Sequence, residues 1–374
     1  MNTLSDVTPT SQYLGNASTA NWVSEGIPAL YQNDSILLTM AEGTAGTLLS
    51  STHYVWYGKI SATMKTSAGA GVVTAFIMQS DVRDELDFEF VGTDLAHVQS
   101  NWYWQGVLNY TNSANLSAAS TNTETHTYTF DWAPDHVTWL VDNQPLRTVY
   151  AADTFNATTG QYQFPQTPSR IMFSLWPAGN PGNAPGTIAW AGGDISWNSP
   201  YMVNGYYYAQ LLDVNVECYN PASGANITGS NAYVYNNYNG LNSSVAITND
   251  QTVLGSFYAT GENLGYNPDA ASSSSSASAG HKATATSSGY AYATSNVNTV
   301  PGSVGAGTNP GSGDSTGSVS GSNSGSGTDS SSGSQESGIG GFVQGTEASA
   351  KNEAGRGGAS IFAVVVAVLV AVSF

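Results

Sequence analysis

Residues 84–92 read "DELDFEFVG" and place four carboxylates, Asp84, Glu85, Asp87 and Glu89, within six positions. Elsewhere the chain is sparing with charge, since Asp, Glu, Lys and Arg together make up 9% of it. In an extended strand alternate side chains point to opposite faces. Leu86, Phe88 and Phe90 then form a core face, and Glu85, Asp87 and Glu89 share the other. Asp84 falls on the Leu86 side and is assigned to the turn before the strand. Three carboxylates in a row repel one another if all are ionised, so the pattern calls for a reason. The Cα atoms of Glu85 and Glu89 stand about 13 Å apart at about 3.3 Å per residue. Side chains leaning inward bring the two carboxyl groups to about 5 Å, the separation of a retaining glycosidic pair rather than an inverting one. Asp87, on a shorter stem between them, sets which carboxyl holds the proton. Spacing alone leaves three readings open: a catalytic pair, a calcium site of hard oxygen ligands, and a solvated acidic strand that resists aggregation.

The elements that would hold this strand are themselves short strands. Runs of β-branched and aromatic residues at 35–40, 47–52, 53–66, 71–80, 85–92, 97–106, 126–132, 136–142, 170–177, 186–193 and 206–219 predict strands, and "DNQPLRTV" continues the meander. Helical periodicity is not sustained anywhere, and no repeat of fixed period occurs. Many strands at roughly ten-residue spacing predict an all-β fold, a jelly-roll sandwich of two antiparallel sheets over residues 1–219. Residues 220–267 either pack as an extension of that domain or begin a linker. Residues 268–352 are a Ser/Gly-rich disordered stalk, too poor in apolar surface to offset the entropy of ordering.

The net charge is −18 with eight Lys and Arg, which excludes a nucleic-acid footprint. No metal-ligand spacing occurs among the five histidines, and no cofactor is expected. One cysteine, Cys218, rules out an internal disulfide; it is expected to be a buried free thiol or to lack its partner. Residues 353–374 end in the uncharged apolar run Ile361–Phe374, too short for a comfortable membrane span. A polar spacer and small residues precede it, which is the layout of a glycosylphosphatidylinositol (GPI) attachment signal with Asn352 as the attachment residue. That signal acts on secreted chains, yet residues 1–15 have neither a positive nor an apolar leader segment. The expectation is that the true N-terminus, with its signal peptide, lies upstream. N-x-S/T triplets begin at Asn16, Asn33, Asn109, Asn115, Asn156, Asn226 and Asn242, in keeping with secretion.

The motif E-x-D-x-E followed by "FVG" and "QSNWYWQG" resembles glycoside hydrolase family 16. "LLSSTHYVWYGKISATMKTSAGAGVVTAFI", "FPQTPSRIMFSLWPAGN", "GTIAWAGGDISW" and "NGYYYA…VNVECY" extend the likeness to the fungal Crh proteins, wall transglycosylases that join chitin to β-glucan. The likeness runs from about Trp22 to Tyr219 and implies a concanavalin-like jelly roll with a cleft across its concave sheet. It implies Glu85 as nucleophile, Glu89 as proton donor and acid/base, and Asp87 as auxiliary carboxylate. Asn101, Tyr103 and Gln105 would line the cleft as alternate residues of one strand. Trp176 would stack on a sugar, and Arg170, Thr187 and Glu89 would contact substrate. The donor would be chitin and the acceptor β-glucan or a chitin oligosaccharide. The chain would act as a monomer, GPI-anchored at the plasma membrane or attached to the wall. Chitinase-type hydrolysis would be a side activity. Two alternatives stand beside this reading: a β-glucan or chitin hydrolase on the same scaffold, and a wall-anchored carbohydrate binder without turnover. "NWYWQG" is bulkier than the usual "NYYFQG" of these proteins.

Overall fold

A computed structural model describes residues 7–32, 35–259 and 263–267. The stalk, the apolar tail, Asn352 and the triplet at Asn33 lie outside the described residues. The first strands are β1 (Val7–Pro9), β2 (Trp22–Glu25), β3 (Ala29–Tyr31), β4 (Ser35–Ala41), β5 (Thr47–Val55) and β6 (Gly58–Lys65). Next come β7 (Val72–Ser80), β8 (Glu85–Val91), β9 (His97–Tyr103), β10 (Ala114–Ser117), β11 (His126–Trp132), β12 (His136–Val141) and β13 (Gln144–Tyr150). A small pair, β14 (Phe155–Asn156) and β15 (Gln161–Tyr162), precedes β16 (Ser169–Pro177), the helix α1 (Pro185–Trp190) and β17 (Tyr206–Cys218). The chain then forms β18 (Asn226–Ile227), β19 (Ala232–Tyr235) and β20 (Val245–Thr248).

Two sheets dominate. One has eight strands in the order β1-β2-β5-β16-β7-β8-β9-β10, and the other seven in the order β13-β12-β11-β6-β17-β4-β3. They enclose the main core, to which Phe76, Leu86, Phe88, Phe90 and Phe173 contribute from the first sheet and Ile60, Tyr128, Phe130, Trp132 and Trp139 from the second. Phe88 sits 4.8 Å from Phe130 and 6.0 Å from Phe76, ring centre to ring centre, so the alternation of β8 is anchored by aromatic contacts across the core. This is the expected jelly-roll sandwich.

Two predicted strands are corrected. "GTIAWAGG" contains α1, not a strand: Pro185 fits the first helical turn, and Thr187 and Trp190, three apart, bury on one side. The run 53–66 is broken at Tyr57, whose φ of 68° turns the chain out of β5 before β6 begins. The described residues between 220 and 267 pack against the sandwich. Strands β18, β20 and β19 form their own three-stranded sheet. Tyr235 and Val245 from it join the main core.

Candidate active site

Strand β8 lies inside the eight-stranded sheet between β7 and β9. Register fixes what flanks each carboxylate. Glu85 sits between Gln79 and Tyr103, Asp87 between Ile77 and Asn101, and Glu89 between Ala75 and Gln99. All three carboxylates face away from the core and are nonetheless buried, at 5%, 0% and 1% exposure. From the core side, Trp139 Nε1 donates to the Asp87 carbonyl at 2.9 Å and pins the backbone at the middle of the triad.

Five of the six carboxylate oxygens, all but Glu85 Oε2, have no hydrogen-bond partner from outside the triad, within which Glu85 and Asp87 bond to each other. Buried polar atoms are normally satisfied, so five such oxygens on one strand mark a place built for a ligand. Glu85 Oε2 accepts from Gln79 Nε2 at 2.6 Å. The three groups therefore differ in electrostatics. Burial raises the pKa of Glu85, while Asp87 and the Gln79 amide pull it back down. Asp87 is pushed well above the usual carboxylate range by burial and by the charges of Glu85 and Glu89. Glu89 is pushed well up by burial and by the Glu85 charge, with nothing opposing. Glu85 is therefore the most readily ionised of the three, and Asp87 and Glu89 hold their protons more firmly. A strand with a stabilised carboxylate at one end and a protonated carboxyl at the other holds the parts of a nucleophile and a general acid.

The expected binding residues divide. Tyr103 and Asn101 stand beside Glu85 and Asp87, and Asn101 Nδ2 donates to the Tyr103 hydroxyl at 2.7 Å. Trp176 lies on the same outer face, in register with Val73, which in turn pairs with Val91. Its ring stacks on Trp190 of α1 at 6.2 Å, and Trp190 Nε1 donates to Gln99 Oε1 at 2.8 Å. Gln105 does not continue the alternation. β9 ends at Tyr103, Gln105 turns with φ of 50°, and its Nε2 donates to the carbonyls of Asn239 and Gly240. It fastens the extension to the domain. Arg170 is buried and engaged: Nε donates to the Tyr54 hydroxyl at 2.8 Å and Nη1 to the Ser51 carbonyl at 2.7 Å. Thr187 is fully buried on α1.

Several neighbours of the triad carry no local signal in the sequence. Gln79 and Gln99 become visible only once β7, β8 and β9 are in register. Glu25 shares a row with Glu89 through Leu48, Ser174 and Ala75. Burial lifts its carboxyl to about 7, and its Oε1 has no partner. Asp84, set aside as a turn residue, is a fully buried hub. It accepts from Gln105 N, Gln166 N and Thr167 Oγ1 at 3.0, 2.8 and 2.7 Å. The side chain of Cys218 is exposed, not buried as one expectation had it. None of the triplet asparagines among the described residues is buried. Among the described residues, no group of three His, Cys, Asp or Glu side chains is disposed to hold a metal ion.

One flank of the outer face is covered. Val23, Leu48, Ala75, Ile77 and Met172 form an apolar patch there, beside the rows of Asp87 and Glu89. Tyr13, Leu254, Ala259 and Leu264 pack on it. Leu254 N donates to the Leu14 carbonyl at 2.6 Å, Gly255 N to the Leu264 carbonyl, and Ser256 Oγ to the Tyr266 carbonyl at 2.8 Å. Residues 254–259 and 263–266 thus form a strap beside the triad.

A two-sheet β sandwich with this carboxylate strand defines a glycoside hydrolase. The sequence profile of the glycosyl hydrolases family 16 matches residues 16–192. Crh-like protein 2 of Aspergillus fumigatus is 48% identical over 313 residues, covering 83% of this chain and 67% of that protein. Congo red hypersensitive protein 2 of Saccharomyces cerevisiae is 50% identical over 252 residues, covering 67% and 54%. The structure of a Crh5 transglycosylase in complex with NAG superposes with a TM-score of 0.54 at 30% identity, covering 64% of this chain and 91% of that one. The chain belongs to family 16, among its Crh-like proteins. It spans between about half and two thirds of the length of these two curated relatives.

Proposed function

We propose that the protein is a cell-wall transglycosylase that cleaves β-1,4-linked chitin by retaining double displacement and transfers it to β-glucan or chitin. The observation that carries this reading is the asymmetry of the triad: Glu85 held by a donor, Glu89 with none, and five oxygens with no partner from outside the triad. Glu85 attacks the anomeric carbon as the glycosidic C–O bond breaks, and Glu89 gives its proton to the departing oxygen. The sugar is then esterified to Glu85. Glu89, now ionised, takes the proton of an incoming sugar hydroxyl, whose oxygen displaces Glu85 and restores the β configuration. Asp87 holds a proton beside Glu85 throughout and keeps the charge in place. An acceptor subsite that orients a sugar hydroxyl favours transfer over attack by water. The solved relative carrying NAG supports an amino-sugar donor. Tyr103, Asn101 and Trp176 line the sugar path. The chain is secreted, N-glycosylated on the triplet asparagines and anchored through Asn352.

The test is incubation of the full chain with chitin oligosaccharides and a fluorescent β-glucan oligosaccharide. Labelled hybrid products are expected, and Glu85→Gln and Glu89→Gln are each expected to lose roughly a thousandfold or more in turnover. Sugar release without labelled hybrids identifies a hydrolase. Turnover unchanged in both variants removes β8 from the chemistry.

A further inference from the structure

Gln79 gives the nucleophile its donor in the reading above but no step of its own, and among the described residues it is the one side chain from outside the triad with a hydrogen bond to a triad oxygen. It is 3% exposed, on the central strand β7, and directly opposite Glu85 in the register. It also belongs to a row. Tyr54, Arg170, Gln79, Glu85 and Tyr103 follow one another across five adjacent strands. Arg170, next in that row, is fixed by its bonds to Tyr54 and Ser51, and its guanidinium stacks 4.4 Å over the Tyr54 ring. The side chain of Gln79 is therefore enclosed on one flank by a rigid cation and on the other by the nucleophile.

We propose that Gln79 is a positioning residue of the nucleophile beside Asp87, holding Glu85 Oε2 through its amide so that Oε1 is the oxygen that attacks. This rests on the reading of Glu85 as nucleophile. The two oxygens of Glu85 differ in the structure: Oε2 is bonded at 2.6 Å and Oε1 has no partner from outside the triad. In the first step a lone pair of Oε1 forms the bond to the anomeric carbon and the electrons of the glycosidic bond leave with the aglycone oxygen, which takes the proton of Glu89. Oε2 becomes the carbonyl oxygen of the ester and still accepts the Gln79 N–H. In the second step the C–Oε1 bond breaks and its electron pair returns to the carboxylate, where the Gln79 donor stabilises the charge spread onto Oε2. A neutral donor serves both steps: it favours the anion before attack and a good leaving group after it. A cation at this distance would hold Glu85 too firmly as an anion to attack well.

Gln79→Leu keeps the volume and removes the donor, and Gln79→Glu keeps the shape and makes the donor depend on pH. With chitin oligosaccharides as donor and labelled β-glucan oligosaccharide as acceptor, Gln79→Leu is expected to lower kcat roughly 10- to 100-fold with KM little changed. Its acid limb of kcat/KM moves to higher pH. Gln79→Glu retains turnover at acid pH, where its carboxyl donates, and loses it as pH rises and two carboxylates face each other. Thermal midpoints taken alongside separate these effects from loss of fold. A pH profile and kcat unchanged in both variants overturn the assignment while leaving Glu85 as nucleophile. Undiminished turnover in Glu85→Gln overturns the nucleophile reading and this inference with it.

Discussion

Replacing Leu254 by Asp tests whether the strap limits access to the site. Leu254 is 2% exposed and packs on the patch formed by Val23, Leu48, Ala75, Ile77 and Met172. Fully burying a leucine contributes about 1.5–3 kcal/mol, and a carboxylate in its place opposes docking further. That corresponds to a fall of about one to two orders of magnitude in the docking constant of the strap. A sugar polymer that needs the patch binds only the fraction of molecules in which the strap is lifted, so its apparent KM scales inversely with that fraction. The expected result is a KM for longer chitin oligosaccharides that drops by up to about one to two orders of magnitude. The KM for the shortest ones, which do not reach the patch, stays as it was. Because the patch is separate from the main core, the thermal midpoint should move little. The assay is initial rate against donor length for wild type and Leu254→Asp. A KM unchanged at every length, with the fold intact, refutes the reasoning and places the polymer path over β9 and β10 instead.

Other outcomes follow from the same structure. Buried Glu89 and Asp87 have folded pKa values raised above the unfolded ones, so their contribution is fully present below about pH 4 and is lost as pH rises through the raised values. Glu89→Gln should therefore raise the thermal midpoint at about pH 7 more than at about pH 4. A shift of equal size at both would contradict this. Asp84→Ala strands two backbone N–H groups and the Thr167 hydroxyl. It should cost about 3–5 kcal/mol in urea unfolding, and a loss under about 1 kcal/mol would deny Asp84 its role as a hub. Cys218 is an exposed free thiol and should react with a thiol reagent in the native protein, whereas silence until denaturant is added would show it covered.

The alternation of β8 was legible because its two faces meet opposite environments, aromatic core on one side and carboxylates on the other. Local pattern could not show which residues stand beside them. Gln79 lies six positions from Glu85 in the chain, but only the antiparallel pairing of β7 with β8 makes them neighbours. Gln105 and Thr187 lie off the strands expected for them for a shared reason. Each sits in a run of strand-like composition that the chain leaves early, Gln105 by a turn at positive φ and Thr187 by a short helix opened with Pro185. Glu25 was invisible because it joins the row of Glu89 only through the pairing of four strands, and the strap because single residues packing over a sheet leave no periodicity.

Asp84 has a consequence for timing. It precedes Glu85, and the groups it grips come from a turn near residue 105 and a loop 82 positions downstream. That loop is itself fastened by Trp56, Tyr57 and Trp132, whose side chains donate to the carbonyls of Gln166 and Pro165. Contacts so distant in sequence carry a loop-closure cost that local ones do not, and they slow folding. A chain that has not yet closed these contacts carries every carboxylate of the site, yet lacks the clamp that ties the start of β8 to the rest of the domain. Competence to cut sugar chains would then arrive with the closing of the domain, and an incompletely folded molecule travelling toward the wall would be harmless to it.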